Sequence, residues 1–233
     1  MLAKAMTKPE HPSKFASPPC LAAELAADRF SSSTDDPQQT LEVARWRKAR
    51  RSENLAARAA LSISTREELS NAIGAHLVAF VMARFGPLAG CVISGYWPIK
   101  SEPDLRPALT QLHAMGARLA LPVVEERGRP LAFRAWSPGA KMERGFWGIP
   151  VPATRETLMP KIALAPLVGW DGAGYRLGYG GGYFDRTLAR PAARPFTIGI
   201  GRQAAKLPTI FPQPHDIRLD AIITEAGLQW SAP

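Results

Sequence analysis

Four of the five residues from Gly178 to Gly182 are glycine. A helix or strand running through them would lose roughly 0.5–1 kcal/mol at each glycine, so the chain has to turn here. The apolar run Ile162–Val168 precedes this stretch, and Tyr183–Ala189 reads as a helix that begins directly after it. The local unit is therefore strand, loop, helix. Such a loop lets backbone approach a ligand closely and aims several N–H groups the same way, which suits an oxyanion such as phosphate. The free N–H groups of the helix start add to it. Arg176 opens the run with a permanent planar charge and Asp185 closes it with a hard oxygen suited to Mg²⁺. Donors, cation and metal ligand within ten residues point to a nucleoside triphosphate. Neither common phosphate fingerprint is matched: Tyr183 stands where G-x-G-x-x-G needs glycine, and the chain has no Gly-Lys-Ser/Thr. The plainer alternative is a glycine-rich turn.

Around this unit, apolar strands alternate with helical patterns. A helix is predicted from Gln38 to about Ala60, where Arg47, Arg51 and Arg58 fall on one stripe. A second runs from Thr65, with Thr65–Glu68 as a capping box, to about Phe85. A third starts at Ser101 as cap, with Pro103 and Asp104 in its first turn, and ends near Met115. Strands are predicted over Gly90–Gly95, Arg118–Val124, Leu131–Trp136, Ile162–Val168, Phe196–Gly201 and Ala221–Thr224. This order implies an α/β fold with a largely parallel sheet covered on both faces, and ligands gathering at the carboxyl ends of its strands. Trp97 and the Asp171–Gly182 loop each follow a predicted strand and can reach one crevice. Residues 1–37 lack sustained apolar periodicity and are expected to form a mobile tail, with a short helix over Leu21–Phe30. Residues 38–233 are expected to form one α/β domain.

Composition narrows the class further. No apolar run approaches the roughly eighteen residues of a membrane span, and Lys4, Lys8 and Glu10 break up any signal-peptide core. Cys20 and Cys91 lie far apart, which fits a reduced cytoplasmic setting. The scattered histidines and cysteines offer no zinc-like spacing. The net charge of +9 suits either anionic ligands or plain solvated surface. Its basic residues form no continuous block and accompany no nucleic-acid-binding motif, so nucleic acid is not expected as a partner.

The run from Leu167 to Arg186 resembles the signature of the 5-formyltetrahydrofolate cyclo-ligase family, also called methenyltetrahydrofolate synthetases. Further matches follow in the family's order: the basic helix around Arg47 and Arg51; Tyr96-Trp97-Pro98 with Glu102; Phe146-Trp147-Gly148-Ile149-Pro150; and Gln203 followed by His215-Asp216. Together they span roughly residues 41 to 225. The resemblance implies a three-layer α/β/α fold like that of sugar-phosphate isomerases and CoA transferases. It also implies conversion of 5-formyltetrahydrofolate and ATP to 5,10-methenyltetrahydrofolate, ADP and phosphate with Mg²⁺.

For the site, the resemblance assigns the ATP phosphates to Arg47, Arg51, Arg176 and the segment Gly178, Tyr179, Gly180, Gly181, Gly182, Tyr183 and Phe184. Arg176 and Asp185 would be catalytic, and Asp185 and Asp216 would hold Mg²⁺. Trp97, Glu102, Trp147, Tyr179 and Tyr183 would receive the folate, with or without a polyglutamate chain. A monomer in the cytoplasm is expected. The chain departs from many relatives at Gly181, Val151 and Trp170, where lysine, glutamate and phenylalanine are common. A cyclo-ligase-like module that binds RNA or regulates without catalysis is the alternative. A sugar-phosphate or CoA enzyme on a similar scaffold would lack a motif of its own here.

Overall fold

The computed structural model describes residues 37–190 and 194–232, so the expected tail and its Leu21–Phe30 helix lie outside the described residues. Helix α1 (Pro37–Ala59) carries the basic stripe, and its buried residues are Val43, Arg47 and Arg58. Helix α2 (Ile63–Phe85) starts one turn's fraction earlier than Thr65 because Ser62 is the cap: its Oγ accepts from the Thr65 N–H at 3.1 Å. Thr65 therefore sits inside the first turn and cannot cap it. Gly86, at φ +65°, closes the helix by donating to the Met82 carbonyl.

Strand β1 (Val92–Ser94) leads not to a helix at Ser101 but to a folded loop. Lys100 and Ser101 have positive φ, the Glu102 N–H donates to the Ile99 carbonyl, and the Tyr96 hydroxyl donates to the Pro103 carbonyl. This turn points Glu102 inward and delays helix α3 to Arg106–Ala114. Asp104 is drawn to the Arg106 backbone and guanidinium, which hold its carboxyl below the usual range.

The remaining strands are β2 (Arg118–Val123), β3 (Ala132–Trp136), β4 (Met142–Arg144), β5 (Pro150–Pro152), β6 (Ile162–Pro166), β7 (Gly169–Asp171) and β8 (Arg176–Leu177). Helix α4 (Tyr183–Leu188) follows, then β9 (Phe196–Ile200), β10 (Lys206–Leu207), β11 (Ala221–Thr224) and β12 (Gly227–Ser231). The central sheet has the order β12-β11-β9-β6-β1-β2-β3. The five inner strands are parallel, and the edges β3 and β12 pair antiparallel. Side-chain alternation divides the core between the two faces. Ile162, Leu164, Ala221 and Ile223 join Leu77, Val81 and Leu109 of α2 and α3 on one side. Ala165 and Ile222 meet Leu167, Trp170 and Leu219 on the other, with Phe184 and Trp230 packed against them. The small sheet β10-β7-β8 thus carries the glycine run out from beside the carboxyl end of β6.

Candidate active site

Strand β8 delivers Leu177 fully buried, and the chain then opens into Gly178–Gly182. Gly180 and Gly182 have φ of +94° and +65°, conformations that L side chains rarely adopt. Helix α1 lies alongside. The Arg51 Nε donates to the Gly178 carbonyl at 2.8 Å, and a Cβ on Gly180 would stand 3.6 Å from the Arg51 guanidinium carbon. One turn earlier, Arg47 pairs with Asp216 at 2.6 Å, both side chains buried. Burial and the neighbouring Arg47 push the Arg51 guanidinium down from its usual value, with Asp216 opposing. Arg47 and Arg51 thus stand near one another, with Asp216 offsetting part of their charge.

Beneath the loop, Arg176 is buried and donates to Asp185 at 2.9 Å and to the Ile217 carbonyl at 3.4 Å. Burial pushes its guanidinium down, and Asp185 and Asp216 hold it up. The same Asp185 oxygen accepts from the Ile217 N–H at 3.3 Å, which ties helix α4 to the segment after His215. Arg176 also lies over the Phe184 ring at 5.5 Å, and Phe184 packs against the second core cluster.

Residues from the β1–α3 loop enter from the other side. Glu102 is buried, and its two oxygens accept from the Tyr179 hydroxyl and the Ile99 N–H, each at 2.9 Å. Burial raises its carboxyl above the ordinary value, partly offset by those two bonds and by Arg58 and Lys100. Burial and Glu102 likewise push the Tyr179 phenol well up. The Lys100 ammonium lies 5.2 Å from the Tyr179 ring centre.

Trp147 sits in a 3-10 turn with φ +55° and is 61% exposed, edge-on to Tyr183 at 5.6 Å. An aromatic side chain held this far out beside Tyr183 presents a flat apolar face to solvent. The Tyr183 hydroxyl accepts from the Gly128 N–H at 3.4 Å. Trp97 packs partly against the main core, with Arg106 over its ring at 4.8 Å.

The three departures from relatives acquire structural settings. A side chain at Gly181 would meet the Tyr183 ring at 2.9 Å, so the ring and a longer residue compete for the same space. Val151 is buried in β5, against the spot where a Cβ on Gly145 would fall. Trp170 is fully buried and donates to the Arg202 carbonyl at 2.9 Å.

Sequence reasoning missed Asn54, whose amide donates to the Val168 carbonyl at 3.0 Å, and Arg186, which lies over Tyr183 at 4.8 Å and donates to the Gly181 carbonyl. Asn54 had a signal: it completes the stripe 47, 51, 54, 58, one face of a helix at spacings of four, three and four.

No trio of His, Cys, Asp or Glu able to hold a metal lies together among the described residues. Asp185 and Asp216 each engage one oxygen strongly, Oδ1 with Arg176 and Oδ2 with Arg47. Asp185 and Asp216 are the carboxylates here whose chemistry would suit a Mg²⁺ ion, which favours oxygen ligands. Arg47 Nε is buried without an acceptor among the described residues.

Residues 43–225 match the model of the 5-formyltetrahydrofolate cyclo-ligase family. The 5-formyltetrahydrofolate cyclo-ligase of Mycolicibacterium smegmatis is 34% identical over 152 residues, covering 60% of this chain and 78% of that protein. The Escherichia coli K12 enzyme of the same name is 28% identical over 55% of this chain and 75% of its own. Among solved structures, the 5,10-methenyltetrahydrofolate synthetase of Aquifex aeolicus superposes with a TM-score of 0.64 at 27% identity, covering 78% of this chain and 91% of its own. That of Mycoplasma pneumoniae gives 0.62 at 28% identity, covering 77% and 98%. The mixed α/β architecture with its mostly parallel sheet is the fold of these enzymes, and with most of the chain inside the family's bounds this protein belongs to the 5-formyltetrahydrofolate cyclo-ligase family.

Proposed function

We propose that this protein converts 5-formyltetrahydrofolate to 5,10-methenyltetrahydrofolate at the expense of ATP, releasing ADP and phosphate. Family membership supports the folate conversion. One observation carries the rest of the reading. Tyr179 belongs to the glycine loop, yet its hydroxyl donates to Glu102, so the glycine loop and a buried carboxylate are joined directly.

The formyl carbon of the substrate is a poor electrophile and its oxygen a poor leaving group. Transfer of the γ-phosphoryl group to that oxygen gives an iminium phosphate and ADP; attack by N10 closes the five-membered ring, and phosphate leaves with the oxygen. The protein's part is positioning and charge stabilisation. Arg47, Arg51 and the Gly178–Gly182 backbone hold the polyphosphate, and Arg176 fixes Asp185 from below. Magnesium, when bound by Asp185 and Asp216, supplies charge neutralisation to the phosphate oxygens. Glu102 accepts hydrogen bonds from the pterin or the N10 region, and Trp147 and Tyr183 cover the rings. A single-domain monomer acting in the cytoplasm completes the proposal. Among the described residues no helix is long and apolar enough to cross a membrane.

Mixing protein, MgATP and 5-formyltetrahydrofolate at neutral pH should produce the strong near-ultraviolet absorbance of the methenyl product. No absorbance at micromolar protein would move the reading to a non-catalytic module. Trp147→Ala separates binding from stability. Its exposure predicts a stability change within about 0.5 kcal/mol, whereas KM for the folate should rise roughly 2- to 10-fold, the worth of an aromatic contact. An unchanged KM would remove Trp147 from the folate site.

A further inference from the structure

Arg58 is 4% exposed. Its Nε donates to the Lys100 carbonyl at 3.0 Å and its Nη1 to the Leu167 carbonyl at 3.4 Å. These two carbonyls belong to the loops after β1 and β6, so the guanidinium plane is fixed from both sides. Its Nη2 donates to the Tyr179 hydroxyl. A guanidinium only donates, so at this bond the phenol oxygen has to accept. The phenol then has one hydrogen left to give, and Glu102 Oε1 stands 2.9 Å away to receive it.

We propose that Arg58 is a positioning residue: it orients the Tyr179 hydroxyl toward Glu102 and thereby keeps that carboxylate an acceptor ready for the folate. The assignment rests on the folate role of Glu102 given above. The groups facing Glu102 are Arg58 from α1, Ile99 N–H and Lys100 from its own loop, Tyr179 from the glycine loop, and the more distant Tyr96, whose hydroxyl is engaged with the Pro103 carbonyl. Of these, Arg58 and Lys100 carry positive charge, and Ile99 and Tyr179 donate hydrogen bonds to the carboxylate. Burial works against the charged form. The oriented phenol is thus one of two direct hydrogen bonds that favour the charged form of Glu102, and Arg58 determines its direction.

Loss of the phenolic donor favours the protonated carboxyl, so the midpoint for Glu102 should move to higher pH. The direct measurement is a carbon-13 NMR titration of protein labelled at the glutamate carboxyl, with Glu102→Gln assigning the signal. In Tyr179→Phe the midpoint should rise by about one pH unit, a tenfold change in the proton equilibrium. Arg58→Met should raise it comparably, and Arg58→Lys should fall between, since a lysine keeps charge but loses the fork. The acid limb of kcat/KM for 5-formyltetrahydrofolate should move with it, so that the loss is largest below neutrality. A midpoint unmoved in Tyr179→Phe overturns the proposal. A midpoint that moves in Tyr179→Phe but in neither Arg58 variant overturns the role of Arg58, and Arg58→Lys serves if Arg58→Met fails to fold. The titration needs no turnover: an inactive wild type with shifted variants would sink the activity reading and leave the positioning intact.

Discussion

Asp185→Asn is expected to lower turnover by a factor on the order of 10²–10³, the usual scale for losing one electrostatic element of a transition state, while the protein stays folded. Asparagine keeps the shape and can still accept from the Ile217 N–H through its carbonyl oxygen. It cannot supply the negative charge that both Arg176 and a magnesium ion require. Asp185→Ala is a poorer test, because it also leaves the buried Arg176 without its partner at 2.9 Å. Breaking a buried pair from one side costs about 3–5 kcal/mol, and the partial exposure of Asp185 places this case near the low end. Stopped-flow or steady-state absorbance of the methenyl product gives turnover, and a thermal melt gives the fold. Near-wild-type turnover in a folded Asp185→Asn protein would remove the metal and catalytic roles together.

The pair Arg47–Asp216 predicts the second large effect. Both side chains are buried and 2.6 Å apart, so Arg47→Met strands a carboxylate whose remaining donor is the Gln213 N–H. We expect a loss of about 3–5 kcal/mol, read as a melting temperature lower by roughly 2–4 °C for each kcal/mol at this chain length. Adding Asp216→Leu should return most of that stability, since a well-packed apolar pair often replaces a buried ion pair without loss. Activity should not return, because the anion receptor and one metal ligand are both gone. Recovery of turnover along with the melting temperature would show that the pair serves the fold alone.

The parts of this architecture that sequence made legible are those with a strong local cause. Ile162–Pro166, Phe196–Ile200 and Ala221–Thr224 are apolar runs flanked by turn residues, and they are the buried inner strands. The α1 stripe was legible for the same reason, since period alone places Arg47, Arg51 and Arg58 together. Strands β7, β8 and β10 were not, because segments of two or three residues such as Lys206–Leu207 owe their conformation to the partner they pair with. The expected helix at Ser101 failed on competition. Pro103 and Asp104 are good first-turn residues, but burying Glu102 and Leu105 won over starting the helix early. At the site, the residue types were visible and their partners were not. Glu102 stands out on its own, yet its hydrogen bond comes from Tyr179, 77 positions away. Arg176 likewise stands out as a cation beside the loop, and its carboxylate partner is Asp185.

Helix α1 fastens to the body through guanidinium and amide groups far more than through grease: Arg47, Arg51, Asn54 and Arg58 reach Asp216, Gly178, Val168, Lys100, Leu167 and Tyr179, while Val43 and the Trp46–Phe211 edge contact supply apolar burial. Two of these clasps, Arg47 and Arg51, are also the proposed receptor for the incoming nucleotide. An engineer seeking a hardier version of this scaffold gains little by tightening that seam at Arg47 or Arg51, because each added grip there withdraws a cation from its ligand. Improvement has to be sought behind the sheet, among the aliphatic residues of α2 and α3.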